Sequence, residues 1–321
     1  MGSRGSITGH RRQYLPDLQR PSLGASGGCT QVASRRRRRR TNVSTVHYAL
    51  GIPNLGEYAD PRLLAELATL AESSGWDAVF CWDHLSRHGV PATDPQVALA
   101  AMAMATQRIR LGAMVTPLAR RRPAKVARET VALDRLSGGR LIVGVGLGAH
   151  DEEEFAAFGD PADRVVRGRM LDEALDVLTA LWTGDPLAHD GAHYRAHTTA
   201  GFHPTPVQRP RIPIWVAGTW PARPAFRRAA RYDGLFPTFR DVELSQNVAP
   251  AQLAAAVEYA RAQRDASLPP LDVAIEGSSP SAAPMDEYAD AGLTWWVESI
   301  GWFRGTLGEM RRRIEAGPPA A

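Results

Sequence analysis

From Val46 onward the chain alternates between short apolar runs and longer stretches with helical periodicity. Eight runs read as strands: VHYALGI, DAVFCW, IRLGAMV, RLIVGVG, PIWVAG, GLFP, LDVAIEG and LTWWVES. The stretches between them carry helix signals. Asp60 can cap a helix that has Pro61 at its first position, Leu63, Leu64, Leu67, Ala68 and Ala71 on one face, and Gly75 just past its end. Asp94-Pro95 starts a second in the same way. The clearest helix spans 164–182, where Leu171, Ala174, Leu175, Leu178, Leu181 and Trp182 form one apolar stripe and Gly184 follows. Strands separated by helices of this length predict a parallel sheet, because parallel neighbours need crossover connections. Eight such units in about 270 residues match a closed (β/α)8 TIM barrel in number and length. The Gly-, His- and Pro-rich stretch 185–210 reads as an excursion between units four and five.

Composition adds a division of the chain. Residues 1–45 hold ten of the 38 Lys+Arg and one of the 34 Asp+Glu, a formal charge of +9, while 46–321 carry −5. The first segment, with the run RRRRRR, has no apolar periodicity, so a disordered basic extension is expected ahead of a barrel domain at 46–321. A dispensable tail or a misassigned start is the preferred reading of that extension, with a nucleic-acid-binding arm as the rival. No nucleic-acid role is expected of the barrel. No apolar run approaches the roughly 18 residues of a membrane helix. Cys29 and Cys81 cannot make a disulfide framework, and Cys81 in an apolar run reads as a buried thiol of a reducing, cytoplasmic compartment.

The stretch LIVGVGLGAHDEEE contains Gly144-x-Gly146-x-x-Ala149, which fits the dinucleotide fingerprint in its Ala-ending variant. Its place argues against that role. It ends the fourth strand, and Asp151, Glu152, Glu153 and Glu154 follow at once. A first helical turn already filled with anions repels a pyrophosphate. On a barrel such glycines either let a flat ligand approach the backbone or serve tight packing at the rim. Better phosphate candidates are Gly218-Thr219, with Pro221 and the nearby Arg223, Arg227 and Arg228, and Gly277-Ser278-Ser279 after strand seven.

Chemistry-bearing residues sit at strand ends. The second strand ends in FCWDHL, placing Asp83 and His84 at the rim. Neighbouring residues face different ways, so at most one points straight into the mouth. His84 suits proton transfer near neutral pH, and a hydrogen-bonded structural Asp-His pair is the alternative. His189, His193, His197 and His203 lie in the irregular excursion without a helical stripe, so no metal site is expected. Trp295 and Trp296 should face opposite sides of the last strand, both as core.

These motifs resemble the bacterial luciferase-like flavin-dependent oxidoreductases, including their deazaflavin (coenzyme F420) branch. The resemblance is carried by GWDAVFCWDHL, RIRLGAMVTPLARRRPAKVARETVALDRLSGGRLIVGVGLG, RGRMLDEALDVLTALWTG, PVQRPRIPIWVAG, YDGLFP and AGLTWWVES with IEAGPP, covering about 47–319. It implies a barrel that binds FMN or F420 at the C-terminal ends of its strands. Asp83 would contact the cofactor and His84 would stand near the reactive ring. GAMVT, 112–116, matches the segment where many members carry a non-proline cis peptide, here Met114–Val115 with Thr116 following. Leu147 and Gly148 would line the ring, and Gly218 and Thr219 the phosphate side. Relatives that oxidise a sugar phosphate with F420 have an acidic residue after the matching Gly148. Here that position is Ala149, which argues against that activity.

The expected function is a flavin-dependent oxidoreductase of monooxygenase type acting on a small organic molecule with reduced FMN and oxygen. Partners would be a flavin reductase or F420 reductase, and the assembly a homodimer. F420-dependent hydride transfer is the runner-up, with Arg120, Arg121 and Arg122 as holders of an acidic cofactor tail or else a solvated loop. A non-catalytic flavin-binding barrel is the third reading. The excursion 185–210 and the loop after Pro237 are expected to shape the substrate pocket.

Overall fold

A computed structural model describes residues 46–243, 246–279 and 285–319. The basic extension 1–45, with Cys29, lies outside them. Each sequence-predicted strand is present: β1 (His47–Ile52), β2 (Ala78–Cys81), β3 (Arg110–Ala113) with β4 (Thr116–Pro117), β5 (Val143–Gly146), β8 (Ile214–Trp220), β9 (Gly234–Phe239), β10 (Asp272–Gly277) and β11 (Trp295–Ser299). All pair in parallel, in the order β3-β2-β1-β11-β10-β9-β8-β5-β4. β3 and β4 are halves of one strand, interrupted by a cis Met114–Val115 peptide. A parallel bridge between Leu111 and Leu141, with the Ile142 N–H donating to the Leu111 carbonyl at 2.8 Å, joins β3 to the β5 segment and closes the ring. The nine segments therefore occupy the eight staves of a (β/α)8 barrel.

Outside the strands lie α1 (Pro61–Ser73), α2 (Pro95–Ala105), α3 (Pro123–Ser137), the short α4 (Asp151–Glu154), α5 (Arg164–Thr183), α6 (Arg223–Ala229), α7 (Pro250–Ala262), α8 (Met285–Asp290) and α9 (Leu307–Glu315). The caps at Asp60 and Asp94 are those the sequence offers. The Asp60 carboxylate accepts from the Arg62 N–H at 2.8 Å, and Asp94 and Asp163 cap α2 and α5 in the same way. Such a cap stabilises a helix by about 1 kcal/mol. α5 stops where Gly184 turns left-handed at φ 90°. None of the described helices is long and apolar enough to cross a membrane.

Alternation along the strands builds two cores. Ala49, Ala78, Phe80, Met114, Ile142, Trp215, Phe236, Ala274, Trp295 and Val297 fill the barrel interior. Leu50, Val79, Cys81, Val143, Val145, Val216 and Trp296 point the other way and pack under the helices. Trp295 and Trp296 thus face opposite sides, both buried. Each larger aliphatic or Phe side chain among them contributes about 1.5–3 kcal/mol when fully buried. Burial also pushes the Cys81 thiol well above its ordinary range, leaving it unreactive.

The excursion forms a small antiparallel hairpin, β6 (Ala188–Asp190) with β7 (Arg195–His197). Its hydrogen bonds run to the outer helices α3 and α5. The Glu173 carboxylate of α5 accepts from the His193 and Tyr194 N–H groups at 2.9 and 2.6 Å, and Asp134 of α3 from Val207 at 2.6 Å. A helix-to-strand connection leaves at the N-terminal end of the barrel, whereas ligand-binding loops follow the strands at the other end.

Candidate active site

The end of β2 divides its two chemical residues as alternation requires. Ala78 and Phe80 point into the barrel, Trp82 continues their row, and Asp83 turns outward. The Asp83 side chain is only 2% exposed and meets Arg120 and Arg121, each at 2.7 Å. Arg120 reaches on to Glu154 at 2.9 Å, and Glu154 holds His84 Nδ1 at 2.8 Å. Two buried carboxylates are thus balanced by two guanidiniums, and the network ends on an imidazole. The Asp83 carboxylate faces the guanidiniums here, and contact with a cofactor remains an expectation. Arg120 and Arg121 are not a solvated loop, since both are engaged with Asp83. Arg122 is exposed at the start of α3.

His84 is fixed on two sides. Its backbone N–H donates to Asn54 Oδ1 at 3.1 Å, and its carbonyl accepts from Asn54 Nδ2 at 2.9 Å. Its ring stands edge-on to Trp82, centroids 5.6 Å apart. Burial alone would raise the Glu154 pKa. The hydrogen bond and charge of His84, joined by those of Arg120, outweigh burial and hold the carboxyl below its ordinary value. An ionised carboxylate only accepts, so the hydrogen-bond network assigns the shared proton to Nδ1. In a neutral ring that leaves a lone pair on Nε2. His150, 5.5 Å from the His84 ring, is held toward its neutral form by burial and by the charges of Arg87 and His84.

The glycines of β5 serve packing. A Cβ on Gly144 would overlap the Ala113 carbonyl and Met114 Sδ, and one on Gly146 would lie 2.7 Å from Val115 Cγ2. These residues let β5 press against the interrupted third stave, and the expected approach of a flat ligand is at these two positions occupied by Met114 and Val115. Thr116 is buried in register with Val145. Leu147 packs against the helix-side core, and Gly148, at φ 76°, sits against Phe155 and Pro117. Val115 and Ala217, partly exposed over the inner core, form an apolar floor to the mouth. Beside it Trp82 stacks on Phe303 at 5.8 Å and meets Trp302 edge-on at 6.1 Å. A floor and wall of this kind fit a flat, largely apolar ring.

Gly218 makes room for Ala225 of α6, and the Thr219 hydroxyl is 2.9 Å from that of Thr238. Arg228 is buried against Asp172 at 2.7 Å, while Arg223 and Arg227 lie on Tyr259. After β10, the Ser279 N–H donates to Glu298 at 2.8 Å and the Ser278 N–H to Asn247 at 2.8 Å. In the excursion His189 hydrogen-bonds Glu173 and His197 pairs with Asp190.

Sequence reasoning missed three members of this mouth. Trp82 and Glu276 were visible as inward positions, each two residues beyond an interior side chain, Phe80 and Ala274. Glu154 carried no such signal, because its partner His84 is 70 residues away. Glu276 lines a cavity of about 150 Å³ with Phe236, Thr238, Phe239, Gln246 and Ser299, among others. The loop after Pro237 forms part of this cavity through Val242 and Glu243.

The family profile described as luciferase-like monooxygenase matches residues 42–318. The F420-dependent glucose-6-phosphate dehydrogenase of Gordonia bronchialis is 35% identical over 190 residues, 58% of this chain and 54% of that one. That of Beutenbergia cavernae is 35% identical over 235 residues, covering 71% and 66%. The chain thus spans about half to two thirds of the length of these relatives. The F420-dependent tetrahydromethanopterin reductase of Methanopyrus kandleri superposes with a TM-score of 0.65 at 18% identity, covering 85% of this chain and 97% of that one. The monooxygenase RslO1 of Streptomyces bottropensis gives 0.62 at 23%, covering 84% and 79%. At these identities the two structures bear on the fold alone.

Proposed function

The chain belongs to the luciferase-like monooxygenase family, and from that premise we propose that it is an F420-dependent oxidoreductase transferring a hydride to or from a small-molecule substrate. The observation that carries this reading is the His84–Glu154 pair at the barrel mouth. Oxidation of an alcohol by hydride loss requires a base for the hydroxyl proton. Glu154 holds Nδ1 of the imidazole and leaves Nε2 to take that proton. When bound, F420 supplies the hydride acceptor. Asp83, Arg120 and Arg121 fix the base in place, and the Trp82, Trp302 and Phe303 rings form an aromatic wall beside it.

The relatives shift the cofactor reading from FMN, the default of the family name, to F420. The F420-dependent dehydrogenases match at 35% identity, whereas the FMN-containing oxygenating component of 3,6-diketocamphane monooxygenase matches at 22%. Titration of the full chain with F420 and, separately, with FMN, followed by fluorescence, tests this. Saturable binding of F420 and none of FMN is expected; binding of FMN alone overturns the reading.

A further inference from the structure

The other side of the mouth carries a carboxyl group with a different set of partners. Glu276 projects from β10 into the same interior row as Ala274 and reaches the cavity at the C-terminal ends of β9, β10 and β11. It accepts from the Ser299 hydroxyl at 2.6 Å and from the Trp82 side chain. No Lys or Arg among the described residues pairs with it, and none lines the cavity. Asp83, Glu154 and Glu298, all at least as deeply placed, each have guanidinium partners within 3.3 Å.

We propose that this cavity receives an uncharged polar group of the substrate, a hydroxyl or carbonyl, and that Glu276 is the residue that binds it and excludes anions. The inference rests on the oxidoreductase reading and adds its substrate class. Most of the cavity wall is apolar or aromatic (Phe236, Pro237, Phe239, Val242, Val248, Ile275), and its charged members, Glu243 and Glu276, are both acidic. A phosphate or carboxylate placed there would lose its hydration and meet no cation, which is costly. A hydroxyl or carbonyl finds a hydrogen-bonding partner instead.

The surroundings of Glu276 favour its neutral form. Burial pushes its pKa up, and the hydrogen bonds from Ser299 and Trp82 offset only part of that rise. The titratable groups on the surrounding elements do not oppose this. Glu243, on the loop after β9, shares its sign. Glu298, on β11, turns away to Arg304 and Arg313. His84 meets the far side of Trp82. In its protonated form the Glu276 carboxyl donates to a substrate oxygen, a role that a carboxylate cannot fill.

Infrared spectra of the full chain without cofactor test the protonation directly. A protonated-carboxyl band at pH 7 that vanishes in Glu276→Gln is expected. Ser299→Ala, which removes a hydrogen bond to the ionised form, should move that band's titration to higher pH. A spectrum at pH 7 unchanged by Glu276→Gln overturns the proposal, as does saturable binding of inorganic phosphate that shifts the band. With F420 present, small alcohols should be turned over and glucose 6-phosphate not, and Glu276→Gln should raise KM for the alcohol more than it lowers kcat. The reverse preference also overturns the proposal. Because the infrared arm needs no cofactor, failure to bind F420 would remove the oxidoreductase reading and leave the state of Glu276 measured.

Discussion

The two sides of the barrel mouth treat carboxyl groups in opposite ways. On the side of β2 and β5, Asp83 and Glu154 are buried to within 2% exposure, Asp83 between the guanidiniums of Arg120 and Arg121 and Glu154 against that of Arg120. On the side of β10 and β11, Glu276 faces a largely apolar cavity with two neutral donors and no guanidinium. The residue type is nearly the same, and the partners decide the charge. The first side is a rigid, internally compensated frame for an imidazole. The second is a place where a neutral acid can meet a substrate.

The comparison breaks most severely at Arg120. Arg120→Ala leaves Glu154 without its guanidinium and Asp83 with one instead of two, and urea unfolding should show a loss of about 3–5 kcal/mol. A loss below 1 kcal/mol would mean that the frame is not held by charge. Next in size is the imidazole. His84→Ala should lower turnover about 100-fold to 10,000-fold, the usual contribution of a positioned base, with F420 affinity nearly unchanged. Equal turnover would remove His84 from the chemistry. Glu154→Gln, with the ring in place but its Nδ1 partner altered, should lower kcat less and shift the pH–rate profile.

The pH dependence of stability separates the sides most finely. Glu154 is depressed in the folded state, so its contribution is present above the unfolded value of about 4.3 and is lost as pH falls through the folded pKa. Glu276 is raised, so the folded state binds more protons between the two pKa values and its contribution declines as pH rises above about 4.3. Glu276→Gln should therefore gain stability relative to wild type with rising pH, and Glu154→Gln should gain it as pH falls. Parallel curves for wild type and both variants would erase the distinction.

Much of this was legible before any fold was known. Short apolar runs marked the eight staves, caps such as Asp60 and Asp94 marked helix starts, and a family likeness placed the cis peptide at Met114–Val115. The same reading left Arg120 and Arg121 between holders of a cofactor tail and a solvated loop, and gave the β5 glycines an undecided role between ligand approach and packing. Charge run and glycine spacing are local facts, and neither states what lies opposite.

The sequence by itself therefore determined the barrel, the order of its units and the presence of His84 at a strand end, because periodicity, capping and turn chemistry act over a few residues. Only the tertiary structure decided that Glu154 would orient His84, that Met114 and Val115 would fill the space beside Gly144 and Gly146, and that Glu276 would stand without a cation. Those outcomes depend on how closing the ring brings distant strands together, since a carboxyl's charge and a glycine's purpose are set by the atoms that come to lie against them.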